Sequence, residues 1–229
     1  MTMRNRINQI LTKPYMVVAV MLFAPLLKFF DRNFSFFFGL GIVWLILWAT
    51  RYKWSLFGLG KKLNLKTVLY SLVLTVFMIF FDNFVELIVR QFFGEANLSS
   101  LDDIKHNTTN FVIILLIVWT LVSFGEELLY RGYYMKWLAE LLGDSNRAWI
   151  ASAAITSLLF GLSHYYQGPT GMITIAIGTF VMSLVFAKYR DNLWILILTH
   201  GLVDTWGLTF LYLDRTSPVR QWMEQLLLG

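Results

Sequence analysis

Apolar residues fill long stretches of this chain, and most polar residues fall between those stretches. A run of about 17 to 25 mainly apolar residues has the length of a membrane-spanning helix. The pattern predicts seven such spans, at about residues 14–30, 34–50, 67–90, 110–131, 148–165, 170–187 and 193–213. Residues 216–229 add a short interfacial helix or an eighth, partial span. The predicted fold class is therefore all-α, a polytopic membrane bundle of seven to eight helices with a polar site inside it.

Composition favours a single integral-membrane domain over residues 1–229. Of the 229 residues, 57% are hydrophobic and 14% are charged, whereas a soluble domain carries about a quarter charged residues. The chain has no cysteine, which excludes disulfides, thiolate metal sites and cysteine nucleophiles. The first apolar run is not followed by a small-residue cleavage pattern, so we interpret it as a retained span.

Lysine and arginine predict the orientation of the bundle. If the N-terminus is cytoplasmic, twelve of them fall in cytoplasmic segments and six, including Arg32, fall on the opposite side. Membrane proteins carry their excess of positive charge on the cytoplasmic side, so the sequence predicts a cytoplasmic N-terminus. The net charge of +5 is explained by these flanking residues. It does not form a basic stripe suited to nucleic acid.

Ionisable side chains inside membrane spans are costly, so each of them is a candidate functional residue. The stretch "SFGEELLYRGYY", residues 123–134, carries Glu126 and Glu127 directly after an apolar run. On a helix these two side chains diverge by about 100°. Glu127 and Arg131 stand at i and i+4 and are predicted to form an ion pair. Glu126 points away from that pair and suits a general base. The alternative is that both glutamates mark the end of a span.

Two later spans supply imidazoles. If "GDSN", residues 143–146, is a turn, Glu126 and His164 both lie about 26 Å from it at ~1.5 Å per residue. This spacing predicts that the two side chains lie at the same depth and that the fourth helix continues to about Leu142. His200 and Asp204 stand at i and i+4 in "LTHGLVDTWG" and share one helix face. The alternative for each is a hydrogen-bonded packing residue.

Other polar residues give weaker signals. Asp82, Glu86 and Arg90 follow one another at four-residue spacing, and we interpret them as a partly solvated charge stripe. His106 lies among solvated residue types and is predicted to be a surface loop residue. Ser163 adjoins His164, but neighbours on a helix diverge by about 100°, so a serine nucleophile is not expected.

Three segments, "EELLYR", "FGLSH" and "HGLVD", together resemble the CPBP family of CAAX protease and bacteriocin-processing (Abi) intramembrane proteases. That family carries E-E-x-x-x-R, F-x-x-x-H and H-x-x-x-N or H-x-x-x-D in this order. The matching positions here are Glu126, Glu127, Arg131, Phe160, His164, His200 and Asp204. The resemblance covers about residues 110–207, which we interpret as the protease core.

The resemblance implies hydrolysis of peptide bonds near the end of a membrane-embedded, prenylated or otherwise hydrophobic peptide or protein. Its catalytic candidates are Glu126, His164, His200 and Asp204. Support is expected from Glu127, Arg131 and Phe160. Bacterial relatives are linked to peptide maturation and to self-immunity against bacteriocins, and the compact chain favours a bacterial cell membrane.

Two mechanisms and two other classes of function are compatible with these residues. In the first mechanism Glu126, assisted by His164, activates water. In the second, Zn²⁺ is held by ligands drawn from Glu126, His164, His200 and Asp204, although the H-E-x-x-H pattern is absent. The other classes are a non-catalytic immunity or peptide-binding protein and a transporter or ion pathway, since buried carboxylates and histidines also build proton relays.

Overall fold

The structure, a computed structural model, describes residues 2–30 and 33–228. Arg32, counted in the predicted orientation, and Gly229, at the end of the predicted C-terminal segment, lie outside the described residues. The helices are α1 Met3–Leu11, α2 Pro14–Phe23, α3 Phe34–Ala49, α4 Leu65–Phe93, α5 Thr108–Leu141, α6 Asn146–Ser163, α7 Gly168–Lys188, α8 Trp194–Tyr212 and α9 Pro218–Leu228. No β-strand forms among the described residues, so the predicted all-α class is confirmed.

Four helices are long and apolar enough to cross a membrane: α4, α5, α8 and the stretch Tyr165–Lys188, which contains α7. α1 and the segment Pro14–Leu27 together make a fifth candidate, bent by 71°. The predicted count of seven to eight spans is therefore not confirmed. α3 is short, with 16 residues, and α6 carries several hydroxyl side chains that lower its hydropathy.

Large apolar side chains cover the outside of these helices. On α4 alone Leu69, Val73, Val76 and Phe77 are exposed, Val73 by 71%. Soluble monomers rarely expose contiguous apolar patches of this kind, whereas lipid covers them without cost. Together with the length of the helices, this surface defines an integral membrane protein.

The chain divides into two compact units, and α5, α6 and α7 each contribute residues to both. Unit 1 comprises Met1–Lys62, Gly125–Thr156 and Ser183–Leu193. Its core contains Val17, Val43, Leu128 and Met135, all fully buried or nearly so. α5 ends at Leu141, and Gly143 adopts a positive φ of 97°, as is common just after a helix. The turn after α5 therefore lies where the sequence predicts it.

Unit 2 comprises Leu63–Phe124, Ser157–Met182 and Trp194–Gly229. The Thr199 hydroxyl of α8 lies 3.3 Å from the carbonyl oxygen of Ser71 on α4, which links these two helices inside the unit. The indole of Trp119 on α5 donates to the Thr205 hydroxyl at 3.1 Å and packs flat over Gly201 of α8. Such close packing through small residues is typical of helices in membranes.

Gly201→Ala is expected to destabilise unit 2. A β-carbon at Gly201 would lie 2.7 Å from the Trp119 ring, and overpacking of this kind costs about 1 to 3 kcal/mol. Gly207→Ala on the same helix is the matched control, because a β-carbon there meets no atom of the described chain within 4 Å. Thermal unfolding in detergent measures both variants. Equal unfolding temperatures for Gly201→Ala and Gly207→Ala would contradict the expected clash.

Candidate active site

Glu126 and Glu127 lie on a short α-helical stretch of α5, Ser123–Glu127, between two π-helical stretches. The π-helical stretches are Val118–Val122 and Leu128–Met135. A π-helix holds more residues per turn than an α-helix and occurs frequently at functional sites. The length of about 26 Å between Glu126 and the turn assumed a regular α-helix and stays a prediction.

The predicted ion pair of Glu127 and Arg131 is present in unit 1. A guanidinium nitrogen of Arg131 donates to Glu127 Oε1 at 3.1 Å, and both side chains are 1% exposed. Arg131 Nε also donates to the Ser183 hydroxyl of α7 at 3.1 Å. Glu126, by contrast, is partly exposed. The two adjacent glutamates therefore occupy different environments.

His164 follows the last residue of α6, because that helix ends at Ser163. Its Nδ1 lies 2.9 Å from the carbonyl oxygen of Phe160 and 3.2 Å from the Ser163 hydroxyl. The expectation that these neighbours diverge is wrong, since it assumed a helix continuing through His164. The Ser163 hydroxyl also donates to the Phe160 carbonyl at 2.7 Å, which holds the serine against its own helix.

His200 and Asp204 form the pair that their spacing predicts, on α8 in unit 2. His200 Nε2 and Asp204 Oδ2 are 3.4 Å apart, with side chains 14% and 31% exposed. The ring of Phe160 lies 4.8 Å from the His164 ring and 6.5 Å from the His200 ring, measured between centroids. Phe160 therefore packs against both imidazoles, an arrangement that the motif spacing by itself did not reveal.

The structure changes the interpretation of the acidic and basic residues on α4. Glu86 pairs with Arg220 of α9 at 3.1 Å, and Arg90 pairs with Glu224 of the same helix at 2.8 Å. These side chains thus tie α9 to α4, where the sequence predicted a partly solvated stripe. Asp82 has a different environment, since its Oδ1 is buried.

Glu95 also contacts α9, because its carboxylate accepts a hydrogen bond from the Arg220 guanidinium at 2.6 Å. Burial lowers the pKa of the Arg220 guanidinium, but the hydrogen bond that Arg220 donates to Glu95 and the negative charge of Glu86 outweigh this effect, so the pKa is raised. α9 has 11 residues and is shorter than a membrane span. Its docking therefore rests on charged contacts as well as on apolar packing.

The zinc alternative requires three donor side chains around one point. Among residues 2–30 and 33–228 no three His, Asp or Glu side chains are grouped closely enough to hold a metal ion. The candidate zinc ligands belong to both compact units, and zinc binding by them stays a prediction.

The seven motif residues divide between the two units. Glu126, Glu127 and Arg131 belong to unit 1, and Phe160, His164, His200 and Asp204 belong to unit 2. In unit 2 both imidazoles lie near the ring of Phe160, and the Asp204 carboxylate pairs with His200. That Glu126 and His164 lie at one depth stays a prediction.

These features define an integral membrane protein with carboxylates and imidazoles on apolar helices. Residues 108–206 match the model of the family described as type II CAAX prenyl endopeptidase Rce1-like. All seven motif residues fall inside the matched segment, which confirms the predicted resemblance to the CAAX protease family. The match supports a peptidase whose substrate is a membrane-associated peptide or protein. No curated protein and no solved structure matches the chain.

Proposed function

We propose that this protein is an intramembrane endopeptidase that hydrolyses a peptide bond near the end of a membrane-bound substrate. The observation that carries the proposal is that His164 and His200 both lie near Phe160, with Asp204 paired to His200, within the segment that matches the endopeptidase family. Ionisable residues inside membrane helices are costly and are therefore typical of functional sites.

Glu126 is the general base in this proposal. Its carboxylate takes a proton from a water molecule while the water oxygen attacks the carbonyl carbon of the peptide bond. His164 orients the water. As the tetrahedral intermediate collapses, the bond from carbon to nitrogen breaks and Glu126 returns the proton to the leaving nitrogen. The buried Glu127–Arg131 pair braces the helix that carries Glu126.

His200 stabilises the negative charge that develops on the carbonyl oxygen. Asp204 holds the imidazole ring, since the two side chains are 3.4 Å apart. His200→Ala is expected to lower the cleavage rate by roughly a hundredfold or more, the typical effect of removing an oxyanion donor. Rates measured on a lipid-anchored peptide at saturating substrate provide the test.

His106→Asn is the control for that variant. His106 lies in an exposed loop with φ 54°, a conformation that asparagine tolerates well. We expect His106→Asn to cleave at the wild-type rate. A His200→Ala variant that folds and cleaves as fast as His106→Asn would remove His200 from the mechanism.

The experiment that tests the proposed function is cleavage of a membrane-anchored peptide by the purified protein in lipid vesicles. Product masses identify the broken bond, and metal analysis of the same sample with a chelator series tests the role of metal. Cleavage that survives complete chelation agrees with water activation by Glu126. Cleavage that is lost on chelation and restored by Zn²⁺ would replace that mechanism with the metal-dependent one.

The proposed location is a bacterial cell membrane with the N-terminus in the cytoplasm. The charge distribution supports the orientation, since lysine and arginine are concentrated in the segments that it makes cytoplasmic. The bacterial membrane is suggested by the compact chain alone. The proposed substrate is a hydrophobic, membrane-embedded or prenylated peptide or protein, in agreement with the description of the matched family.

A further inference from the structure

The end of α6 changes which groups approach the carbonyl of Phe160. The backbone N–H of His164 donates to the carbonyl of Gly161 at 2.9 Å, as in the tighter turn of a 3-10 helix. In a continuing α-helix that N–H would donate to Phe160. Two side chains approach the Phe160 carbonyl here, since the Ser163 hydroxyl lies 2.7 Å and His164 Nδ1 lies 2.9 Å from its oxygen.

These contacts determine where the His164 ring carries its hydrogen. A carbonyl oxygen has no hydrogen to donate, so the Ser163 hydroxyl and His164 Nδ1 must both be donors to Phe160. The hydroxyl has one hydrogen, which it donates to Phe160, so towards His164 Nδ1 at 3.2 Å its oxygen can only accept. Both neighbours of Nδ1 are therefore acceptors, and both require a hydrogen on that nitrogen.

The second ring nitrogen of His164 is defined by the first. A neutral imidazole carries one hydrogen, so a hydrogen on Nδ1 leaves a lone pair on Nε2. A nitrogen of this kind accepts hydrogen bonds from O–H and N–H groups. It suits an attacking water, because binding one hydrogen of the water leaves the oxygen lone pairs to turn towards the peptide carbonyl.

We propose that His164 is held as the neutral tautomer with its hydrogen on Nδ1, and that its Nε2 accepts a hydrogen bond from the attacking water. Ser163 is a positioning residue, which acts through His164 by fixing the orientation and the tautomer of the ring. A hydrogen bond from Nδ1–H to a backbone carbonyl is a common way of setting a histidine tautomer. The role of the water rests on the proposed endopeptidase function, whereas the tautomer is a property of the protein itself.

Nitrogen NMR of the protein with isotope-labelled histidine rings tests the tautomer without any substrate. The chain has three histidines, and the signals that disappear in His164→Gln belong to His164. At about pH 8 to 9, where an unperturbed imidazole is neutral, we expect His164 to show a hydrogen on Nδ1 and a lone pair on Nε2. A hydrogen on Nε2, or a doubly protonated ring throughout this range, would overturn the inference.

Substitutions of Ser163 test its positioning role. Ser163→Ala is expected to lower kcat by about three- to tenfold with a smaller change in KM, because one hydrogen bond that fixes the His164 ring is lost. Ser163→Thr keeps the hydroxyl and should restore a kcat close to that of the wild type. Ser163→Val has nearly the same size as Ser163→Thr but no hydroxyl, so it should remain as slow as Ser163→Ala.

Ser152→Ala is the matched control, since Ser152 lies on the same helix and its buried hydroxyl makes no hydrogen bond within the described residues. We expect this variant to cleave at the wild-type rate. An unchanged kcat in Ser163→Ala, or equal rates for Ser163→Thr and Ser163→Val, would overturn the role of Ser163. If Ser163→Ala fails to fold, the comparison of Ser163→Thr with Ser163→Val decides. A wild-type protein that cleaves no peptide would instead contradict the proposed function, and the NMR spectrum would still decide the tautomer.

Discussion

Glu126→Gln is expected to reduce peptide-bond cleavage by roughly 10²- to 10⁴-fold, the contribution typical of a general base. Glutamine has nearly the same shape as glutamate but cannot take a proton from water. Glu126 is partly exposed, and the exchange keeps the size of its side chain. The fold should therefore survive, and the loss should appear in kcat.

Glu140→Gln makes the same chemical change on the same helix and is the control. Glu140 lies in the last turn of α5 and is exposed. We expect its cleavage rate and unfolding temperature to match the wild type. If the two glutamine variants cleave at the same near-normal rate, Glu126 is not the base.

Arg131→Met is expected to destabilise the protein by about 3 to 5 kcal/mol. Both members of the Glu127–Arg131 pair are fully buried, and removing one member of such a pair leaves the other charge in a medium of low dielectric. The variant also loses the hydrogen bond from Arg131 Nε to the Ser183 hydroxyl. Thermal unfolding in detergent, followed by tryptophan fluorescence, measures the loss.

The double variant Glu127→Gln with Arg131→Met separates two contributions to the loss of stability, the unpaired buried charge and the changed packing. Because the isolated carboxylate is then absent, we expect the double variant to be more stable than Arg131→Met. Single and double variants that lose equal stability would show that packing around the guanidinium, and not the ion pair, explains the effect.

Hydropathy correctly predicted the all-α class, whereas the predicted number of membrane spans is not confirmed. The predicted span 14–30 breaks at Ala24, where α2 gives way to a 3-10 helix that contains Pro25. A proline lacks the N–H group that an α-helix requires, so the apolar run continues while the α-helix does not. The extension of α5 to Leu141 was predicted, because the turn at residues 143–146 is a local feature of the sequence.

Within the candidate site, the contacts along one helix were predictable and the contacts between helices were not. The pairs Glu127–Arg131 and His200–Asp204 follow from four-residue spacing, and both are present. The side chain of Asp82 lies against Gly178 of a helix far away in the sequence, so periodicity carried no information about this contact. The π-helical stretches on either side of Glu126 were likewise not predicted, because the spacing argument assumed a regular α-helix.

The most direct test of catalysis at Glu126 is a mass comparison of membrane peptides from cells that carry the wild-type protein or Glu126→Gln at equal levels. The account predicts substrates that are shortened by the wild type and remain at full length with the variant. Identical peptide masses, together with an unchanged biological effect of the Glu126→Gln protein, would contradict it and would favour a non-catalytic peptide-binding or immunity protein.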